Sequence, residues 1–249
     1  MNRIVLDRPV SKDQEVLIEG PPLEALLFQG GRKGSIVTLS DPRGIDFRGR
    51  VLRLSKERAW VLIFDLFPSP TESPLEIVLL QALPERERME LIIQKTTELG
   101  VSAIIPFKSE RSISLEEREA KQRKAHRWQA IAIKAVQQSR RALVPEVEAY
   151  RPFQEALRFC SQSLDREETL RILLWEKDGG SLKDLLKRSH PKKIYAMVGP
   201  EGGFTEEEVK SARKAEFFPV KLGQRMLRTE TAAIVLVGIL QYELGDLGK

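Results

Sequence analysis

The sequence predicts an α/β protein in which a domain built on a mostly parallel sheet follows a small N-terminal β-barrel, and three observations carry that prediction. Up to about residue 70 the apolar runs are short, β-like and separated by glycine and proline. From residue 75 onward strand-length apolar runs alternate with stretches of helical periodicity, the pattern of a parallel sheet covered by helices. Between the two, PSPTESP (68–74) places three prolines in seven residues, which continue neither a helix nor a central strand. The expected division is therefore residues 1–70 and 71–249.

In the first part the candidate strands are IVLD (4–7), EVLIEG (15–20), SIVTLSD (35–41), GRVLRL (49–54) and AWVLIFDLF (59–67). Gly20, Pro21, Pro22, Gly30, Gly31, Gly34, Pro42 and Gly44 punctuate them, as in a barrel or meander. The second part opens with LEIVLLQA (75–82), a buried strand. A helix follows in which Met89, Ile92, Ile93, Thr96 and Leu99 recur at helical spacing, with Gly100 closing it. VSAIIPF (101–107) gives the next strand, then a long basic helix from about Leu115 to Ala142 and a helix near 153–162. LRILLWE (170–176), a short helix from Ser181 and KKIYAMV (192–198) come next. A loop and a helix from about Thr205, the strand FFPVKL (217–222), a second loop and a final helix to about Leu244 complete the chain. Thr205 with Glu208 three residues on forms a capping-box pattern, and Glu206 and Glu207 suit the helix dipole, so these glutamates read as structural. The final helix carries AAIVLVGIL (232–240), apolar on every face, which points to the core or a subunit interface.

At 249 residues, 41% hydrophobic and 31% charged, the chain has the composition of an ordinary globular protein. The first residues lack the apolar core of a signal peptide, and no apolar run approaches the roughly 18 residues of a membrane span, so the sequence reads as cytoplasmic. A single cysteine, Cys160, excludes an internal disulfide and reads as packing. With only His126 and His190 beside it, no clustered Cys/His metal site is expected. The net charge of +5 is concentrated: Lys108 to Arg141 holds ten Lys or Arg against four Glu, so the remainder of the chain is slightly acidic. Such a segment, with Trp128 inside it, is the footprint of a polyanion partner; a solvated helix face balanced elsewhere is the competing reading.

Two units of strand, glycine loop and helix lie within sixty residues of each other. In open α/β sheets ligands bind beyond the carboxyl ends of the strands, so GPEGG (199–203) and LGQRMLR (222–228) are candidates for one pocket. Neither matches a phosphate-binding fingerprint, and the Glu201 carboxylate would repel a phosphate. Glycine-rich backbone suits instead a flat ligand approached closely, such as the adenine of a cationic adenosine compound; a plain tight turn with a surface glutamate is the alternative for GPEGG. In MLRTETA, Thr229 or Thr231 could cap the last helix with Glu230 on its dipole, whereas Arg228 lacks a comparable structural role and could grip phosphate or stabilise an oxyanion.

Four segments, LLQALPERERMELIIQKTTELGVSAIIPFKSERS (79–112), RWQAIAIKAVQQSRR (127–141), VGPEGGFTEEE (198–208) and LGQRMLRTETAA (222–233), together resemble the RsmE family of 16S ribosomal RNA uridine-N3 methyltransferases, in the SPOUT superfamily. The resemblance implies a PUA-like RNA-binding barrel, a trefoil-knotted α/β domain (knot roughly 170–245), S-adenosylmethionine as methyl donor, ribosomal RNA or the small ribosomal subunit as substrate, and a homodimer. It implies that the cofactor is wrapped by Val198, Gly199, Pro200, Glu201, Gly202 and Gly203, and by Leu222, Gly223, Met226 and Leu227. Leu174 is a third lining segment, and Thr231 and Ala232 open the last helix beside the cofactor. Arg228 is the expected catalytic cation, with Glu201 or Glu230 taking a proton or orienting the donor. Arg111, Gln138, Arg140 and Arg141 are expected RNA contacts, with Arg50 and Arg53 as phosphate binders on the barrel. At Glu85, Arg86 and Glu87 the chain departs from the family's Lys-Gly-Asp type turn. Two alternatives stay open at this level: the same fold methylating another position, such as a ribose 2′-hydroxyl, or a non-catalytic RNA-binding dimer.

Overall fold

The computed structural model describes residues 3–28, 30–43, 45–67, 72–112, 127–161 and 168–248. They form two compact units, one of residues 1–72 with 140–144 and the other of residues 73–139 with 145–249.

In the first unit β1 (Arg3–Val5), β2 (Glu15–Ile18), β3 (Ile36–Ser40), β4 (Asp46–Leu54) and β5 (Ala59–Phe67) form one curled sheet in the order β1-β3-β4-β5-β2. The pairing is antiparallel except between β1 and β3. Curling brings alternate residues inward, so Leu39, Phe47, Val51, Val61 and Ile63 form the core with Ile4 and Ile18. Two register shifts in β4, at Arg48/Gly49 and Val51/Arg53, sharpen the bend. Gly49 sits in the sharpest contact: a Cβ there would fall 2.3 Å from Val61 Cγ1. One helix differs from the all-strand expectation for this unit. Gly20, Pro21 and Pro22 punctuate the sequence but open α1 (Gly20–Phe28), because proline in a first helical turn forfeits no helix hydrogen bond. Leu23 and Leu26 then plug one face of the sheet.

The segment 140–144 belongs to this unit through definite bonds. Arg141 Nη2 pairs with Glu72 Oε2 at 2.5 Å, and Leu143 N donates to Glu72 Oε1 at 2.9 Å. Arg48 Nη2 donates to the Arg141 carbonyl at 2.7 Å, and Thr38 Oγ1 to that of Ala142 at 2.6 Å.

The second unit is a parallel sheet of β6 (Glu76–Ala82), β7 (Ala103–Lys108), β8 (Glu146–Val147), β10 (Thr169–Leu174), β11 (Gly180–Ser181), β12 (Lys193–Val198) and β13 (Phe218–Lys221). Its order is β11-β13-β10-β12-β6-β7-β8, with β9 (Arg151–Pro152) also beside β7; every pairing among the described residues is parallel. Strand alternation splits the core in two. Ile77, Leu79, Ile194 and Ala196 face one side, with α2 (Arg86–Glu98), α3 (Arg127–Ser139), α5 (Leu182–Lys187) and α7 (Thr229–Glu243). Val78, Leu80, Tyr195 and Met197 face the other, with α4 (Phe153–Ser161) and α6 (Glu206–Lys214). Burial on both faces explains why these strands read as unbroken apolar runs.

Among the described residues the basic helix runs only from Arg127 to Ser139; its expected first part lies outside them. It stops before Ala142 because Arg140 takes a left-handed backbone (φ 58°) and the chain passes into the first unit. Trp128, expected among the basic residues as part of a polyanion footprint, is buried in the core, 4% exposed. Cys160 is fully buried, and that burial pushes its thiol up to about 12 against the nearby charge of Arg171.

Candidate active site

The carboxyl ends of β10, β12 and β13 lie side by side in the sheet, and a cavity of about 480 Å³ opens beyond them. Three strand ends with the loops that follow line it: Leu174 to Glu176 at β10, Val198 to Phe204 at β12, and Val220 to Gly223 with Arg225 to Thr229 at β13. Arg88 from α2 and Ala232 from α7 complete the wall. This is the crevice position that open parallel sheets use for ligands.

The two glycine loops are locked together beneath the cavity. Thr229 Oγ1 donates to the Gly199 carbonyl at 2.6 Å and accepts from Gln81 Nε2 at 3.1 Å. Gln81 Nε2 also donates to the Ala82 carbonyl at 2.9 Å, and the Gln81 side chain has no exposure to solvent. Thr229 is therefore a bridge and not the expected helix cap. Arg228 is the N-cap of α7 and supplies no side-chain capping bond. Thr231 is not the cap either: it is exposed in the first turn and does not line the cavity.

The GPEGG loop is held from three sides. Gly203 N donates to the Pro200 carbonyl at 3.0 Å, closing a tight turn that requires the positive φ (68°) of Gly203. Arg111 Nη1 donates to the Gly202 carbonyl at 2.9 Å. Glu201 Oε1 accepts from the Glu85 amide at 3.0 Å and lies 3.3 Å from Arg88 Nη1. Glu85 is the N-cap residue of α2, so Glu201 serves a helix start whose own side chain makes no cap. The next residues are fixed equally firmly. Phe204 stacks on Phe107 with ring centroids 6.3 Å apart, and Thr205 with Glu208 completes the expected capping box of α6. Glu208 Oε1 also accepts from the Glu110 amide at 2.9 Å, tying the turn after β7 to the same loop.

The expected site residues divide clearly. Leu174, Val198 to Gly203, Leu222, Gly223, Met226, Leu227, Arg228 and Ala232 come together around the cavity. Arg228 is exposed and has no ion-pair partner among the described residues, and Met226 is 85% exposed. Glu230, like Thr231, does not line the cavity; its Oε2 is buried without a hydrogen-bond partner among the described residues. Arg111 is spent on Gly202. Gln138 and Arg140 are exposed, whereas Arg141 is buried against Glu72. On the first unit, Arg50 lies over the Phe64 ring at 6.0 Å, and Arg53 lies over Trp60 at 5.0 Å while pairing with Glu15 at 2.5 Å. Sequence reasoning missed Arg88, Glu176, Lys221, Arg225 and Thr229 as cavity residues. Arg225 was within reach, since it stands inside the loop already singled out. No group of three or more His, Cys, Asp or Glu among the described residues could hold a metal ion, and no helix among them is long and apolar enough to cross a membrane.

Comparison with known proteins gives this arrangement its relatives. The RNA methyltransferase domain family matches residues 71–241. Ribosomal RNA small subunit methyltransferase E of Bacillus subtilis is 31% identical over 218 residues, covering 85% of this chain and 83% of that protein. The crystal structure of the same enzyme from Neisseria gonorrhoeae, bound to S-adenosyl methionine, is 36% identical with a TM-score of 0.69 over 99% of both chains. A putative methyltransferase from Legionella pneumophila, also in complex with S-adenosyl methionine, is 30% identical with a TM-score of 0.67 over 98% of both chains. With its glycine loops bridged by Thr229 at the carboxyl edge of a parallel sheet, the chain belongs to the ribosomal RNA small subunit methyltransferase E family.

Proposed function

We propose that the protein transfers a methyl group from S-adenosylmethionine to N3 of a uridine in small-subunit ribosomal RNA, acting in the cytoplasm as a homodimer. The observation that carries this reading is the cavity between two bridged glycine loops, whose lining mixes apolar side chains (Leu174, Val198, Leu222, Leu227) with backbone amides and carbonyls. Its size and lining suit a bent adenosine compound held largely by main chain. Once bound there, S-adenosylmethionine supplies an electrophilic methyl group.

The protein's residues then have defined tasks. The loops hold the donor and exclude water from its reacting face. N3 of uridine is an imide nitrogen between two carbonyls, and loss of its proton spreads negative charge onto both oxygens. Arg228, which lines the cavity and has no ion-pair partner among the described residues, stabilises that charge. Glu201, occupied by the Glu85 amide and Arg88, holds the loop in shape and orients the donor. Gln138 and Arg140, both exposed, are suited to contact RNA. A dimer is supported by apolar side chains left outward on the paired helices α2 and α7: Leu91 is 40%, Val235 38% and Tyr242 67% exposed.

Nucleoside mass spectrometry of 16S ribosomal RNA from cells with and without the gene tests the reading. Loss of N3-methyluridine alone is expected, restored by the wild-type chain and not by Arg228→Ala. In vitro, Arg228→Ala should keep its cofactor affinity by calorimetry yet lose about 10²-fold or more in transfer rate. Loss of a ribose 2′-O-methyl group instead, or full activity of Arg228→Ala, would overturn the assignment.

A further inference from the structure

Six charged side chains line the cavity: Arg88, Glu176, Glu201, Lys221, Arg225 and Arg228. Of the two carboxylates, Glu201 is engaged by the Glu85 amide and by Arg88. Glu176 is different. Its neighbours in sequence are anchored to α6, Lys177 by Glu206 at 3.5 Å and Asp178 by Arg213 at 3.8 Å. Among the described residues Glu176 itself has neither a hydrogen bond nor an ion pair, although four cations share the cavity with it. Its Oε1 lies 3.3 Å from where a Cβ on Gly203 would stand, so it rests directly against the glycine loop.

Its position in the fold gives the carboxylate a use. Glu176 stands two residues beyond the end of β10, and β10 pairs in parallel with β12, with Leu173 opposite Met197. The carboxylate therefore lies beside the GPEGG loop, which leaves β12. In parallel sheets that bind nucleosides, an acidic side chain from the strand beside the one that feeds the glycine loop accepts hydrogen bonds from ribose hydroxyls. The chemistry matches: an ionised carboxylate only accepts, through two oxygens, and a vicinal diol offers two O–H donors at matching spacing.

We propose that Glu176 is the ribose-recognition residue of this cavity, its two carboxylate oxygens accepting hydrogen bonds from the 2′- and 3′-hydroxyls of S-adenosylmethionine. The assignment rests on the reading above that the cavity takes this cofactor, and it gives the unpaired carboxylate a task that Glu201 cannot perform while bound to α2. Lys221, Arg225 and Arg228 are then left for negative charge, on the cofactor's carboxylate or on RNA.

Calorimetry on the full chain with S-adenosylhomocysteine, its 2′-deoxyadenosyl analogue and its deamino analogue tests this. The wild type should bind the 2′-deoxy analogue about tenfold more weakly than the parent compound. Glu176→Gln and Glu176→Ala should bind the parent about tenfold or more weakly than the wild type does and no longer distinguish it from the deoxy analogue. Discrimination against the deamino analogue should be unchanged in both. Because Glu176 is exposed and has no partner among the described residues, both variants should melt with the wild type, so a changed affinity reports the site and not the fold. Unchanged affinity for the parent compound in both variants would overturn the proposal. So would lost discrimination at the amino group in place of the ribose, which would assign Glu176 to the ammonium. A wild-type chain that binds none of the three compounds would overturn the cofactor reading itself.

Discussion

Glu201 stands in a glycine loop of the kind that attracts anions, and its own negative charge is answered by the Glu85 amide and by Arg88. The loop's carboxylate was legible in the sequence as an argument against a phosphate ligand. Its partners were not, because Glu85 lies 116 residues away and only the sheet order brings β6 beside β12. The same holds for Thr229. Local chemistry made it a candidate cap, since a threonine at a helix start normally accepts from a backbone amide. The structure places it one residue inside the helix, where its hydroxyl instead joins Gly199 to Gln81. Thr229→Val keeps the shape and removes the hydroxyl, leaving a half-buried carbonyl and a buried amide donor each short of a partner. Such a loss costs about 1–3 kcal/mol. The urea midpoint should fall accordingly, and affinity for S-adenosylhomocysteine should drop about tenfold as the two loops lose their common anchor. An unchanged affinity would show that the loops hold their spacing without the bridge.

Among the elements, those that follow a period were legible and those set by distant contacts were not. Strands β5, β6 and β12 fall where their apolar runs lie, and α2 and α6 follow their periodicity and caps. Helix α1 was hidden because Gly20, Pro21 and Pro22 look like punctuation unless proline is known to open a helix. The two-residue strands β8, β9 and β11 carry no period at all. The turn after β7 carries contacts that its composition does not suggest. Arg111 reads as an RNA contact within a basic segment, yet its guanidinium holds the Gly202 carbonyl while Glu110 is fastened to Glu208. Arg111→Ala should therefore weaken cofactor binding three- to tenfold, the worth of one hydrogen bond from a charged donor in a partly exposed site. RNA affinity measured by filter binding should change little. The opposite pattern, cofactor affinity intact and RNA affinity reduced with a shallower salt dependence, would return Arg111 to the RNA surface.

Over the whole molecule, the basic segment divides into exposed and buried residues. Lys134 and Arg140 are exposed, whereas Trp128 is core and Arg141 is sequestered, its side chain 6% exposed in the pair with Glu72. A count of charge along the sequence cannot separate these, because adjacent arginines at 140 and 141 both join the first unit and differ in burial, Arg140 exposed and Arg141 enclosed. The left-handed turn at Arg140 makes the difference: it ends α3 and sends the chain into the first unit, where Arg48 and Thr38 bind the next two carbonyls. Charge reversal should expose the division. Arg140→Glu should leave the thermal midpoint near that of the wild type. It should weaken binding to a 16S RNA fragment and lower the slope of log affinity against log salt by about one, as expected when one phosphate contact is lost. Arg141→Glu should act on the fold instead. It places a second carboxylate against Glu72 in a nearly buried site, where breaking one such pair costs about 3–5 kcal/mol, so the first unit should melt early in a thermal scan. Equal and purely salt-dependent losses of RNA affinity in both variants, with unchanged melting, would show instead that Arg141 leaves Glu72 to meet RNA.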